Sequence, residues 1–380
     1  MSIQLKLVQS KADIVKFLEF PIKLYKNHPH YVPQLIMEDK KLFDKEHEAF
    51  YKHGKVNSYI AYKNEKAVGR ISCIVNYKHN KIHNEKTGFF GFYDCINDTE
   101  VSGLLLAKAK EFAMENNFES LRGPMNFSVT HTVGSLSKGF DLDPVLLTPY
   151  NFSYYNDLIT SYGFEKAMDF YSYRFTKEQG IPEKLTRVAK AMQERGKFKL
   201  KYIYKKDLPK VVKEIQTIYN DAWKENWGFL PLSDDDIAAL ATELKPILVP
   251  SLSYMIYDQN DVAVACMVTL PNINEALKTS KGKVFSPGFF KLLSYLLGMT
   301  KPKGIRTVIM GVLESNRRKG IEAIMIEKTI SEAHNLGYSE ADLSWILENN
   351  VMMNRQLEKM DAERYKEHRV YDLKLNEEIK

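Results

Sequence analysis

The chain has 380 residues, a formal net charge of +6, and 44% hydrophobic against 27% charged side chains. That balance excludes a disordered polymer, and the length exceeds the ~250–300 residues at which single cores stop growing, so two domains are expected. The mild charge, with Lys and Asp/Glu intermixed and no aromatic–basic module, argues against nucleic acid as the main partner. Cys73, Cys95 and Cys266 are too few and too scattered for a disulfide framework or a zinc site, so no metal is expected.

The first residues lack the basic, apolar and small-residue succession of a secretory signal, which predicts a cytoplasmic protein. A helical pattern runs from Lys11 to Tyr25, and Pro29 and Pro33 in HPHYVPQL impose an extended path. Ser58 to Tyr62 and Ala67 to Asn76 read as a hairpin, with Gly88 to Ile96 as a third strand after a polar loop. Thr99 to Asn117 places Val101, Leu105, Ala109 and Phe112 at helical spacing behind the N-cap candidates Asp98 and Thr99. A short strand at Glu119 to Arg122, a helix at Tyr154 to Tyr162 and a strand at Phe170 to Phe175 close this half.

After Gln179 and Gly180 the same order starts again: strand Lys199 to Tyr204, helices Pro209 to Trp223 and Asp234 to Leu244, and hairpin Ser253 to Leu270. Strand Thr307 to Leu313, helix Ile321 to Asn335, strand Glu340 to Ser344, helix Asn350 to Met360 and strand Tyr365 to Asp372 follow. The expectation is an α/β (α+β) fold in two tandem copies, 1–178 and 179–380, each a mixed, mostly antiparallel sheet flanked by helices. Lys278 to Arg306 mixes Phe285, Phe289, Phe290 and several leucines with lysines. It reads either as an interfacial membrane helix or acyl lid, or as a helix packing on the sheet, and its apolar run falls short of the ~20 residues of a membrane span.

Two loops concentrate chemistry. Gly123 to Gly139 holds Asn126, Ser128, Thr130, His131 and Thr132 between glycines, which suits a substrate-orienting loop. His131 fits a general base, or a loop histidine bonded to backbone. WKENWGFLPLS places Trp223, Trp227 and Phe229 together, as the wall of a substrate site or as packing between domains.

The element order, with the segment Val312-Leu313-Glu314-Ser315-Asn316-Arg317-Arg318-Lys319-Gly320-Ile321, resembles the GCN5-related N-acetyltransferase superfamily. That superfamily carries an acyl-CoA motif of Arg/Gln-x-x-Gly-x-Gly/Ala after a strand. Arg317, Gly320 and Ile321 fit it, and Glu322 departs from it. The whole chain is also similar to bacterial acetyltransferase-like proteins, on the stretches HPHYVPQL, AVGRISCIVNYKHN, LRGPMNFSVTHTVGSLSKGFD and YNDAWKENWGFLPLS, a resemblance that implies a fold and leaves the substrate open.

The resemblance implies acetyl-CoA or a longer acyl-CoA as cosubstrate. Backbone at Val312 and Leu313 would hold the pantetheine, and Arg317, Arg318, Lys319, Gly320 and Ile321 the pyrophosphate, which suits unpaired N–H groups and the positive end of a helix. Glu314 or His131 would take the amine proton; Glu314 reads either as a partly buried carboxylate with a raised pKa or as a surface carboxylate paired with Arg317 or Arg318. The superfamily's Tyr position falls on Leu357 in the second half and Ile159 in the first. Asp94, Asp98 and Glu100 make the first half's corresponding turn hostile to pyrophosphate, so that copy is expected to be degenerate.

The resulting expectation is acyl transfer to a small-molecule or peptide amine, with Asn126, Ser128 and Trp227 on the substrate. The alternatives are a non-catalytic ligand-binding or scaffold protein, and an acyltransferase fed by an aminoacyl-tRNA or acyl-carrier donor. Peripheral membrane contact and oligomeric state stay open.

Overall fold

The structure, a computed structural model, describes residues 2–283 and 286–375. Phe285 of the expected apolar segment lies outside the described residues. In chain order the elements are β1 (Ile3–Leu7), α1 (Lys11–Leu24), α2 (Ile36–Asp39), β2 (Gly54–Lys63), β3 (Lys66–Asn76), α3 (Tyr77–His83), β4 (Thr87–Cys95) and α4 (Thr99–Glu115). Next come β5 (Ser120–Gly123), β6 (Ser135–Lys138), α5 (Tyr154–Ser161), β7 (Glu165–Thr176), α6 (Glu183–Glu194), β8 (Lys199–Tyr202), α7 (Leu208–Ala222) and α8 (Asp234–Leu244). The chain ends with β9 (Ser253–Tyr257), β10 (Ala263–Pro271), α9 (Asn274–Leu277), α10 (Pro287–Leu296), β11 (Gly304–Val312), α11 (Ile321–Asn335), β12 (Glu340–Leu347), α12 (Val351–Glu358) and β13 (Glu363–Lys374).

The expected strands and helices recur with ends shifted by a few residues, and β1, α2, α3, β6, α6 and α9 are additional. β1 is a short alternating strand paired with β2 through Ile3↔Lys63 to Leu7↔Tyr59. α3 replaces an expected loop; Asn76 caps it by accepting from the backbone N–H of His79 at 2.9 Å. α6 occupies a stretch whose charged composition hides its apolar residues.

The chain divides into two compact units. The first comprises Met1–Tyr171, Asn274–Leu292 and Lys366–Lys380. Its strands run β1-β2-β3-β4-β5 and then the C-terminal part of β13, with β6 also on β13. β4 and β5 are parallel, and β13 joins β5 antiparallel, Tyr371↔Gly123 to Lys374↔Ser120. α4 lays Val101, Leu105, Leu106, Ala109 and Phe112 against the apolar side chains of β3 and β4, in one core with Ile71, Cys73 and Phe90. Beneath it a charged pair is buried: Arg70 meets Asp94 at 2.7 Å, with its guanidinium 4.8 Å from the Phe17 ring.

The second unit comprises Ser172–Ile273 and Leu293–Tyr365. Its order is the end of β7, then β12, β11, β10, β9 and β8. β10 is antiparallel to both β9 and β11, and β11 is parallel to β12. One core sets Ile321, Ile324 and Met325 of α11 and Ala189 of α6 against Tyr254, Val264, Met267 and Val312. On the opposite face, Gly311 of β11 leaves room for Ile218 and Ala222 of α7, where a Cβ would come within 2.9 Å of Ile218.

Candidate functional site

In the second unit the strands themselves open a cleft. β11 and β12 pair only from Gly304↔Glu340 to Thr307↔Leu343, yet run on to Val312 and Leu347, so they part over their C-terminal halves. The register of β11 on β10 shifts between Val268 and Thr269, opposite Val308, which bulges β11 where the parting begins. Leu313 donates its N–H to Val264 O at 2.9 Å. By the alternation of an antiparallel ladder, the N–H groups of Val312 and Met310 therefore point the other way, toward the side from which β12 has departed. Of the two backbone groups expected to meet a pantetheine, Val312 faces the opening and Leu313 is already bonded within the sheet.

Beyond Val312 the chain makes a 3-10 turn at Glu314–Asn316, then enters α11 through Gly320, whose φ of +77° is the left-handed conformation that suits glycine. Gly320 caps α11 without a side-chain acceptor. Among the described residues no protein acceptor takes the N–H groups of residues 318 to 323, and the next one, of Ile324, bonds Gly320 O at 3.3 Å. Arg318 and Lys319 are exposed beside them. Ile321 instead turns its side chain into the core. A Cβ on Gly320 would press within 2.9 Å of Met192 Cγ, so α6, absent from the sequence reading, holds this loop from behind.

The loop is tied to the end of α7. Glu314 N–H donates to Asp221 Oδ2 at 2.7 Å, Lys224 Nζ meets Glu314 Oε2 at 2.6 Å, and Arg317 donates to Ala222 O at 2.6 Å. Trp227 is half-buried on the turn that follows Lys224, and the Tyr219 ring packs tilted against Trp223, centroids 4.4 Å apart. The structure thus gathers Val312, Glu314, Arg317 to Ile321 and Trp227 in one unit. The expected raised pKa of Glu314 is corrected: its carboxylate is exposed, and the hydrogen bond and charge of Lys224 lower its pKa.

Asn126, Ser128 and His131 lie in the first unit. Asn126 Oδ1 accepts from Phe92 N–H at 2.7 Å, where β4 bulges with Phe92 at φ +47°. Ser128 Oγ lies 2.7 Å from Thr130 Oγ1 and 3.1 Å from His131 Nδ1, and His131 Nε2 is 3.7 Å from Glu48. These groups satisfy one another.

The first unit also differs at the place corresponding to the open helix. Asp98 caps α4 through the N–H groups of Glu100 at 2.9 Å and Val101 at 3.3 Å, and Lys63 meets its other oxygen. The end of β4 is covered by α5: Tyr154 donates to Cys95 O at 2.8 Å, and Cys95 N–H donates to Tyr155 Oη at 3.1 Å. Tyr155 continues to Asp94 at 3.2 Å, and burial raises its pKa further. Asp98 thus occupies two of the helix N–H groups whose counterparts on α11 stay open.

A buried polar cluster in the second unit had no sequence motif to announce it. Arg306 of β11 reaches Ser344 Oγ at 3.1 Å and Asp342 at 3.5 Å, and Tyr365 donates to Asp342 Oδ2 at 2.6 Å. Arg306 also stacks over Trp345 at 5.2 Å. Arg306 and Asp342 face each other one pair before β11 and β12 part, Ser344 follows the last pair by one residue, and Tyr365 comes from β13. Leu357, at the superfamily's Tyr position, is buried on α12, while Tyr365 supplies a phenol to the cluster.

No family model matches the sequence. The chain is 29% identical over 373 residues to a bacterial ceramide synthase of Caulobacter vibrioides, covering 96% of each. It is 29% identical over 371 residues to the protein YghO of Escherichia coli, covering 96% of this chain and 93% of that one. Among solved structures, a tandem GNAT protein from the clavulanic acid biosynthesis pathway superposes with a TM-score of 0.59 at 10% identity, over 99% of this chain and 100% of that one. A GCN5-related N-acetyltransferase from Sphaerobacter thermophilus gives 0.52 at 9% identity, over 99% and 97%. The fold is the tandem GCN5-related N-acetyltransferase fold, as the element order implied.

Proposed function

We propose that this protein is an N-acyltransferase that takes a fatty acyl group from a CoA thioester held in the second unit and joins it to the amine of a long-chain amino alcohol. The observation that carries the reading is the uncapped N-terminus of α11, opening beyond the parted strands β11 and β12 with Arg318 and Lys319 exposed beside it. The N–H groups of residues 320 to 323 and the helix dipole would receive the pyrophosphate, and the backbone of Met310 and Val312 the pantetheine arm. Glu314 keeps a positioning part, since its bonds to Asp221 and Lys224 fix the entry to the loop.

In the reaction the amine nitrogen attacks the thioester carbonyl carbon, the C–N bond forms and the C–S bond breaks. CoA leaves as thiolate, and the proton lost by nitrogen ends on that sulfur. The acceptor class rests on the likeness to the Caulobacter ceramide synthase, because a ceramide is the amide of a fatty acid with a long-chain amino alcohol.

The test is calorimetric titration with palmitoyl-CoA and acetyl-CoA, followed by thiol release in the presence of sphinganine. Binding in the micromolar range, weakened at least tenfold in Arg318→Glu, and thiol release dependent on sphinganine are expected. Failure of both donors to bind would overturn CoA dependence and leave a carrier-bound donor or a scaffold. Binding without transfer to sphinganine would overturn the acceptor class alone.

A further inference from the structure

The segment after β10 exposes an apolar surface that acyl transfer does not use. α10 buries Gly288 and Leu292, but Phe290 is 66% exposed, Leu293 38%, Leu296 37%, Leu297 64% and Met299 67%. Positions 290, 293 and 297 recur at three and four residues, so these side chains form one stripe along the helix and its last turn. The reading of this segment as a helix packed by its apolar face holds only for the Gly288–Leu292 side.

The charge along this stretch of the sequence has one sign. From Ala276 to Leu313 the sequence contains no Asp or Glu. Lys281, Lys283, Lys291, Lys301 and Lys303, all exposed, lie within that stretch. A second copy of this chain is a poor occupant, since a twofold contact would set the five lysines against the same five. An anionic lipid surface supplies both an apolar layer for Phe and Leu and phosphates for lysine, whose long stems let the ammonium reach the headgroups.

We propose that α10 docks the protein on an anionic phospholipid surface, with the Phe290–Leu297 stripe at the acyl–headgroup boundary and the flanking lysines on lipid phosphates. The inference does not depend on the nature of the acyl donor. It gives a chain in which, among the described residues, no helix is long and apolar enough to cross a membrane a direct route to lipid-soluble reactants.

The experiment is vesicle flotation of the full chain with phosphatidylglycerol–phosphatidylethanolamine vesicles and with phosphatidylcholine vesicles. It compares wild type with Phe290→Glu/Leu297→Glu, whose exposed positions should leave the circular dichroism spectrum unchanged. Flotation with the anionic vesicles is expected, abolished at 0.5 M salt, reduced at least tenfold in the double variant and absent with phosphatidylcholine. Wild type that stays unbound, or a variant that floats equally, would overturn the proposal. So would a concentration-dependent dimer of wild type, lost in the variant, which assigns the stripe to self-association. Palmitoyl-CoA titration of the same variant in solution, expected to match wild type, separates failure of docking from failure of the acyltransferase reading.

Discussion

Asp98 and Gly320 occupy the same cap position in the two units, each immediately before the helix that follows the strand parallel to its neighbour, and they have opposite electrostatic effects. The Asp98 carboxylate consumes two N–H groups of α4, whereas Gly320 leaves those of α11 open.

Exchanging this character is expected to be informative in both directions. Gly320→Asp supplies an acceptor where phosphate would bind, so donor affinity should fall at least tenfold, ~1.4 kcal/mol, by calorimetry. The crowding against Met192 should lower stability as well. Asp98→Ala should cost about 1 kcal/mol of stability as a lost cap and leave donor affinity unchanged. Equal loss of affinity in both variants would contradict a site confined to the second unit.

Asn126 is expected to act on stability and not on substrate. Asn126→Ala leaves the N–H of Phe92 without its acceptor, at a cost of about 1–3 kcal/mol in denaturant unfolding. The KM of either substrate should be unchanged. A raised KM at unaltered stability would return Asn126 to the substrate-binding set.

Asp39, at the end of α2, supplies a pH dependence. Burial raises its pKa to about 6, with Glu38 adding to the rise and Arg70 opposing it. The folded form therefore binds a proton more tightly than the unfolded chain, whose carboxyl titrates near ~3.9. This group's effect is to lower stability as pH rises from about 4 through 6. Asp39→Asn should match wild type at pH 4 and be more stable by about 1–3 kcal/mol at pH 8, measured by urea unfolding. A variant less stable than wild type at pH 8 would contradict this sign.

The parts of the fold that were legible in the sequence are those governed by local periodicity. α4, α11 and β3 declare themselves by side-chain spacing, and the Arg317–Gly320 loop by its place between strand and helix. α6 was not legible, because its order depends on packing Met192 and Ala189 against α11 and the Gly320 loop, which no window of its own charged sequence contains. Nor was the Asn126 bond, which exists because Phe92 bulges out of β4. The Arg306–Asp342–Tyr365 cluster escaped notice because its members come from three separate strands and share no spacing. Glu314 was placed in the right loop, but the lysine that sets its charge state comes from the end of α7.

The antiparallel ladder between β13 and β5, locked by Arg122 on Asp372 at 2.9 Å across 250 residues, bears on how the protein is made. At roughly 5–20 residues per second of synthesis, the first unit's sheet waits tens of seconds on the ribosome for its last strand. Through that interval the edge of β5 is open. A nascent chain in this state is a natural client for chaperones, and the first unit can finish folding only once β13 has left the ribosome.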